Sequence, residues 1–258
     1  CLHECKLGRT ALLIWTAAIS FMLLVCLLMF PEMKGQVDTV TDMFANMGGF
    51  SAAFGMDRVN FGEAMGFYAV ECGNILGIGG FFAALLGVGA LAKEEKDRTA
   101  EFLLTHPVSR ASVVFQKLLA VLGQIAVMNL VIVGVSILSF TMVGETVMWK
   151  DFLLLHLAYL LLQIEIACVC FGLSAFLKRG SLGVGIGLAA VFYFMNIIAN
   201  ISDKADFLRY VSPFAYADAA DIVAGHALDL PLVFLGLGYA AAGAGIAFIK
   251  YCKKDVAS

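Results

Sequence analysis

The chain has 258 residues, 61% of them hydrophobic and only 14% charged, with a formal net charge of −3. Soluble domains sit nearer about 45–50% apolar, so the composition excludes an ordinary soluble enzyme or a disordered chain, and four prolines exclude a string of linkers. The sign of the net charge decides nothing, because in so apolar a chain the placement of charge matters more than its sum.

The chain opens at Cys1 rather than Met, and the expectation is that residues precede it. The first apolar block is 11–30. Pro31, Glu32 and Met33 follow it in place of a small-residue cleavage site, so it reads as a retained span and not as a signal peptide. Further blocks lie at 65–92, 112–143, 152–177, 181–201 and 231–251. Each reaches the roughly 20 residues needed to cross a hydrocarbon core about 30 Å thick. The second, third and fourth exceed that length and are expected to tilt or to extend into water. Only Lys178, Arg179 and Gly180 separate the fourth block from the fifth, which predicts a tight helical hairpin. No ten-residue segments of alternating hydrophobicity occur, so a β-barrel is out. The expected fold is all-α: a single membrane domain, 1–258, made of six transmembrane helices.

Lysine and arginine orient it. With both termini cytoplasmic, the inner segments hold Lys6, Arg9, Lys93, Lys96, Arg98, Arg110, Lys117, Lys178, Arg179, Lys250, Lys253 and Lys254, which is 12 of the 17 basic residues. The positive-inside rule favours that arrangement. Two outer segments, 31–64 and 202–230, are too apolar for plain loops. Val37, Val40, Phe44 and Met47 recur at helical spacing opposite Asp38 and Asp42, as do Phe207, Tyr210, Val211 and Phe214, and both predict short interfacial helices. The seven cysteines form no C-x-x-C pair and read as small buried hydrophobes, with no metal site expected. Cys26 and Cys72 both fall toward the outer ends of their spans, and their pairing is left open.

The inner segment Lys93–Arg110 reads K-E-E-K-D-R-T-A-E-F-L-L-T-H-P-V-S-R. Asp97 or Thr99 can cap a helix, Glu101 favours its first turn, and Pro107 ends it. The predicted helix is about two turns long, too short to hold its shape alone in water. It nevertheless carries Phe102, Leu103 and Leu104 amid charge. Each such side chain gains roughly 1.5–3 kcal/mol on burial, so the segment is expected to dock, either on the chain's own helix ends and the lipid interface or in a cytoplasmic partner.

The run Arg98-Thr99-x-Glu101-Phe102-Leu103-Leu104-x-x-Pro107-Val108-Ser109-Arg110, between a second and a third span, closely resembles the inner loop of ABC-2 type transporter permeases. Glu4, Lys6 and Arg9 resemble that family's amino-terminal elbow helix, and Leu208-Arg209-Tyr210-Val211-Ser212-Pro213-Phe214 resembles its outer segment before the last span. The resemblance implies that this chain is the membrane-spanning subunit of an exporter in the cell membrane, bacterial inner or cytoplasmic. It implies a short amphipathic coupling helix whose contacts with two separate ABC ATPase subunits are made by Arg98, Thr99, Glu101, Phe102, Leu103, Leu104, Pro107 and Arg110. It also implies a second permease protomer, identical or homologous, because six spans make half a pore. ATP and Mg would be bound by the partner ATPase, and no cofactor is expected in this chain, which lacks G-x-x-x-x-G-K-[ST]. The glycine clusters Gly77–Gly80 and Gly183–Gly187 lie within spans and predict close helix packing. Nucleic acid is not an expected partner, whereas membrane lipid is.

Polar residues inside apolar spans are the remaining candidates, here for a translocation path. Glu165 lies mid-way along the fourth span, where a charge costs on the order of 2.5–3.5 kcal/mol on insertion scales. His156 and Gln163, seven apart, share one helical face, and Glu165 lies nearly opposite His156, so the three are not expected to form one site. Glu71 and Asn74 share a face of the second span, as Asn196 and Asn200 do in the fifth. Two other functions compete. A non-transporting sensor or anchoring subunit could share the scaffold. An intramembrane protease is disfavoured, because Glu94-Glu95-Lys96-Asp97-Arg98 is one residue short of that family's motif and neither G-x-S-x-G nor H-E-x-x-H occurs.

Overall fold

The computed structural model describes residues 2–37, 43, 46–96, 109–177 and 182–253. Among them the chain is helical with no strand. The order is α1 (Leu2–Leu28), α2 (Phe30–Lys34), α3 (Gly49–Phe54), α4 (Ala64–Phe67), one wide turn Tyr68–Cys72 of π type, α5 (Gly73–Lys96), α6 (Arg110–Val143), α7 (Trp149–Ser174), α8 (Leu182–Ile201), a 3₁₀ segment Asp203–Tyr210, α9 (Ala219–Gly225) and α10 (Leu230–Lys253). Six stretches are long and apolar enough to cross a membrane: Gly8–Lys34, Ala64–Leu91, Arg110–Val143, Trp149–Ser174, Leu182–Ile201 and Leu230–Lys253. The third has 34 residues, about 50 Å at 1.5 Å per residue, so it outruns the hydrocarbon core as its length predicts. Six crossings return the chain to its starting side. The end of the bundle holding the starts of α1 and α6 is called the terminal end below, and the opposite end the distal end.

Span four, α7, is the centre. It packs on α5 and α10 over most of its length and on α6 as well, while α1 lies against α6 and α8 against α5. Backbones touch at these crossings because glycine leaves room. A Cβ at Gly87 would fall on the carbonyl of Ala167, one at Gly243 would lie 2.5 Å from the carbonyl oxygen of Cys168, and one at Gly172 would lie 2.7 Å from that of Gly243. Close approach of this kind supplies dispersion where lipid removes the hydrophobic drive between helices. At the distal end Phe30, Tyr68, Phe140 and Phe152 are fully buried, with Tyr68 and Phe140 centroids 5.2 Å apart. Outward faces carry Phe21, Leu130, Phe234 and other exposed apolar side chains, as a bundle solvated by lipid requires.

Several expectations change. The segment read as an elbow helix is continuous with the first span, because Gly8 is accommodated inside α1 without a break. Spans four and five are not packed on each other as a tight hairpin would be. A Cβ at Gly185 of α8 would meet the carbonyl oxygen of Ala84 at 3.0 Å, so α8 leans on α5 while α7 is enclosed by α5, α6 and α10. The second interfacial stripe splits. Phe207, Tyr210 and Val211 face outward, but Phe214 is buried, because the chain turns inward where the Ser212 hydroxyl donates to the Phe192 carbonyl and accepts the Phe214 amide. The first stripe falls largely outside the described residues, as do Lys178–Gly180. So does the expected coupling helix with Arg98, Thr99, Glu101, Phe102, Leu103, Leu104 and Pro107. Its far end is visible: Ser109 caps α6, its hydroxyl accepting the Ser112 amide at 3.2 Å, and Arg110 is the first helical residue.

One prediction follows from the glycine contacts. Gly243→Val should destabilise the protein by roughly 1–3 kcal/mol, the usual cost of overpacking, seen as a lower melting temperature in detergent. Gly245→Ala, two residues along α10 where an added Cβ meets nothing within 4 Å, should leave melting unchanged. Equal effects would show that the crossing is not limited by the glycine.

Candidate functional site

The intramembrane polar residues of α7 go to different neighbours. The His156 Nε2 lies 3.0 Å from the Tyr68 hydroxyl, which also donates to Ser136 Oγ at 2.8 Å. One heptad on, Gln163 Oε1 accepts from Asn129 Nδ2 at 2.7 Å. Gln163 thus joins α7 directly to α6, while His156, on the same face of α7, reaches Ser136 of α6 only through the Tyr68 hydroxyl of span two. Glu165 points the other way. Its Oε2 accepts the Tyr216 hydroxyl at 2.9 Å, and a Cβ at Gly236 of α10 would collide with that same oxygen. The three do not form one site, as their spacing predicts. Two nitrogens, His156 Nδ1 and Gln163 Nε2, are buried with no hydrogen-bond partner.

At the distal end an ionic clasp joins the two outer segments. Arg58 donates from Nη1 to Asp221 Oδ1 and from Nη2 to Asp218 Oδ2 at 3.4 Å. Arg209 Nη2 donates to the other oxygen of Asp221 at 2.6 Å. Asp218 also caps α9, accepting the amides of Ala220 and Asp221, and accepts Asn200 Nδ2 at 2.8 Å. Burial alone would lower the pKa of Arg58, but the carboxylates of Asp218 and Asp221 outweigh it and hold the guanidinium above its ordinary value. Gly55 makes the approach feasible. It sits at φ +71°, a left-handed conformation that favours glycine, and a Cβ there would overlap Ala220.

Glu71 and Asn74 stand elsewhere, on the wall of a cavity of about 410 Å³ in the distal half of the bundle, between spans one, two and five. Span one contributes Met22 and Cys26, span five Tyr193, and span two the stripe Glu71, Asn74, Ile75, Ile78 and Phe81. Those positions recur every three or four residues and therefore share a face. The π turn at Tyr68–Cys72 places Glu71 on that face, and such turns often mark functional sites. Asn74 is fully engaged: Nδ2 donates to the Val70 carbonyl at 2.7 Å and Oδ1 accepts the Tyr193 hydroxyl at 3.1 Å. Glu71 forms no hydrogen bond or ion pair with any described residue. The Cys26 and Cys72 thiols are both free, and Cys26 lines the cavity. A smaller cavity of about 40 Å³ shares Asn74, Gly77 and Tyr193 and is also lined by Asn196 and Asp218 of the clasp. Among the described residues no metal-binding cluster occurs.

Sequence reasoning missed Tyr216, Tyr193 and the clasp. Arg58 and Arg209 did leave a signal, as basic residues on the side where such residues are scarce, each in a segment rich in aspartate. Tyr216 and Tyr193 left none, since neither position in the chain says what its hydroxyl touches.

The chain is similar to the uncharacterized protein YhcI of Bacillus subtilis (strain 168), 25% identical over 217 residues, with 74% of this chain and 69% of that protein covered. A family model described as ABC-2 family transporter protein matches residues 2–256, nearly the whole length. With six apolar helices long enough to cross a bilayer, the chain belongs to the ABC-2 transporter family, as a multi-pass membrane permease.

Proposed function

We propose that this chain is the membrane-spanning subunit of an exporter driven by separate ATPase subunits, that the cavity bounded by Glu71, Asn74 and Tyr193 is part of its translocation path, and that the distal clasp is the closed outer end of that path. The observation that carries the reading is the cavity itself: about 410 Å³, lined by three spans, with a carboxylate on its wall. Polar groups in apolar spans are costly, and a position facing a cavity is where they are tolerated. The smaller cavity leads from Asn74 toward Asp218, so the clasp sits over the same column of residues.

In this reading His156, Gln163 and Glu165 hold span four in place, since each is buried and hydrogen-bonded inside one protomer. The Arg98–Arg110 segment is the coupling element, with Phe102, Leu103 and Leu104 seated in an ATPase cleft and Arg98, Thr99, Glu101, Pro107 and Arg110 around them. ATP and Mg belong to two such ATPase subunits. A second permease protomer, identical or homologous, completes the pore, with both termini cytoplasmic in a bacterial cell membrane.

Three experiments test this. Replacing Phe102 and Leu103 together with alanine should remove several kcal/mol of apolar contact and yield a permease that inserts normally but no longer co-purifies with its ATPase. Retained association and full coupled transport would remove the coupling assignment. Engineered cysteines at Asp57 and Glu145 should react with an impermeant maleimide from outside, whereas those at Lys96, Lys178 and Lys254 should not; the reverse pattern would invert the topology. Glu165→Gln should fold and transport nearly as the parent does, because the amide oxygen still accepts from Tyr216. A loss of flux from a well-folded Gln variant would instead put Glu165 on the path.

A further inference from the structure

We infer that the cavity between spans one, two and five binds a cationic amphiphile: a molecule with one delocalised or quaternary positive charge on an apolar body. The inference rests on the reading of this cavity as part of the path and names the substrate class for it. Three observations carry it. First, the charge inventory of the wall is one-sided. Among the described residues Glu71 is the one carboxylate there, no lysine, arginine or histidine lines the cavity, and Glu71 forms no ion pair or hydrogen bond. The amide and the hydroxyl on the wall are already engaged, Asn74 donating to the Val70 carbonyl and accepting from Tyr193. A carboxylate beside an apolar surface and without a counter-charge is most stabilised by a cation brought in from outside.

Second, the remainder of the wall is soft and aromatic. Met22, Ile75 and Ile78 supply apolar surface and a polarisable thioether, while Phe81 and Tyr193 supply ring faces, which attract desolvated cations through their quadrupoles. A strongly hydrated small ion would find one carboxylate and no further oxygen cage, too few ligands to replace its water shell. Third, about 410 Å³ lies within the range of small-molecule sites. The ligand is therefore a bulky, weakly hydrated cation. An anion of the same shape would meet Glu71 head-on, so the site discriminates by charge sign at constant shape.

The test uses a pair of ions matched in shape, tetraphenylphosphonium and tetraphenylborate, with neutral triphenylphosphine oxide as the uncharged control. The full chain in lipid nanodiscs is titrated with radiolabelled tetraphenylphosphonium, and protein-free nanodiscs are subtracted. Saturable binding is expected, displaced by unlabelled tetraphenylphosphonium and not by tetraphenylborate. Glu71→Gln, with unchanged elution and melting temperature, should weaken binding about tenfold, the loss of one charge-assisted contact. Ile75→Trp, which fills the cavity and leaves Glu71 in place, should abolish it. Equal displacement by the borate, or full affinity in Glu71→Gln, overturns the cationic assignment. If triphenylphosphine oxide then binds saturably and Ile75→Trp removes that binding, the cavity stands as a ligand site for neutral molecules. If Ile75→Trp changes the binding of neither probe, the cavity reading itself fails along with the inference.

Discussion

The structure depends on how closely its backbones can approach along span four. Gly87 on span two meets Ala167, and Gly172 and Gly243 meet each other across spans four and six, at separations where any side chain would strike a carbonyl oxygen. In lipid these contacts are among the few forces that hold apolar helices together, since hydrocarbon solvates a leucine as well as another leucine does. Spans five and one, by contrast, pack more loosely around this centre and leave much of their surface facing outward. The cavity arises at that loose margin, where span two is flanked by spans one and five.

Tight packing of span four also decides what its polar residues can do. His156, Gln163 and Glu165 are drawn into three separate hydrogen-bonded pairings by three different neighbours. Intramembrane hydrogen bonds of this kind average only about 0.6 kcal/mol, so they contribute register more than stability. The Gln163–Asn129 contact fixes how α6 and α7 slide past each other, the Tyr68 hydroxyl ties span two to both through Ser136 and His156, and Glu165 ties the inward-turned distal segment to the bundle through Tyr216. Glu71 differs in kind. It sits on the side of the bundle where packing is loosest, facing space instead of a partner helix.

The two ends of the bundle hold together by different means. At the distal end irregular backbone turns inward at Ser212–Phe214 and is tolerated because its polar groups are met by protein, with Ser212 serving both Phe192 and Phe214. Arg58 then ties that segment to the first distal segment through Asp218 and Asp221, and Arg209 braces Asp221 from within its own segment. Charge pairs that are partly exposed like these are sensitive to ionic strength, unlike the aromatic cluster beneath them.

Much of the architecture is written in local sequence. The number of spans, their order and nearly all their limits follow from runs of apolar residues, because crossing a bilayer is a one-dimensional constraint on length and hydrophobicity. The separation of His156 and Gln163 from Glu165 follows from helical periodicity, as does the shared face of Glu71 and Asn74. The family was legible in the run from Arg98 to Arg110, short and dense with unlike residues. What only the tertiary structure decided is which face meets which. Periodicity puts Glu71 and Glu165 each on a helical face but is blind to whether that face looks onto Tyr216 or into a cavity, and a three-residue link between spans does not say that α8 will lean on α5 in place of α7. Those outcomes hang on glycine-sized gaps and on contacts such as Arg58 with Asp221, 163 residues apart in the chain, and helix-to-helix pairing of that range has no local sequence code.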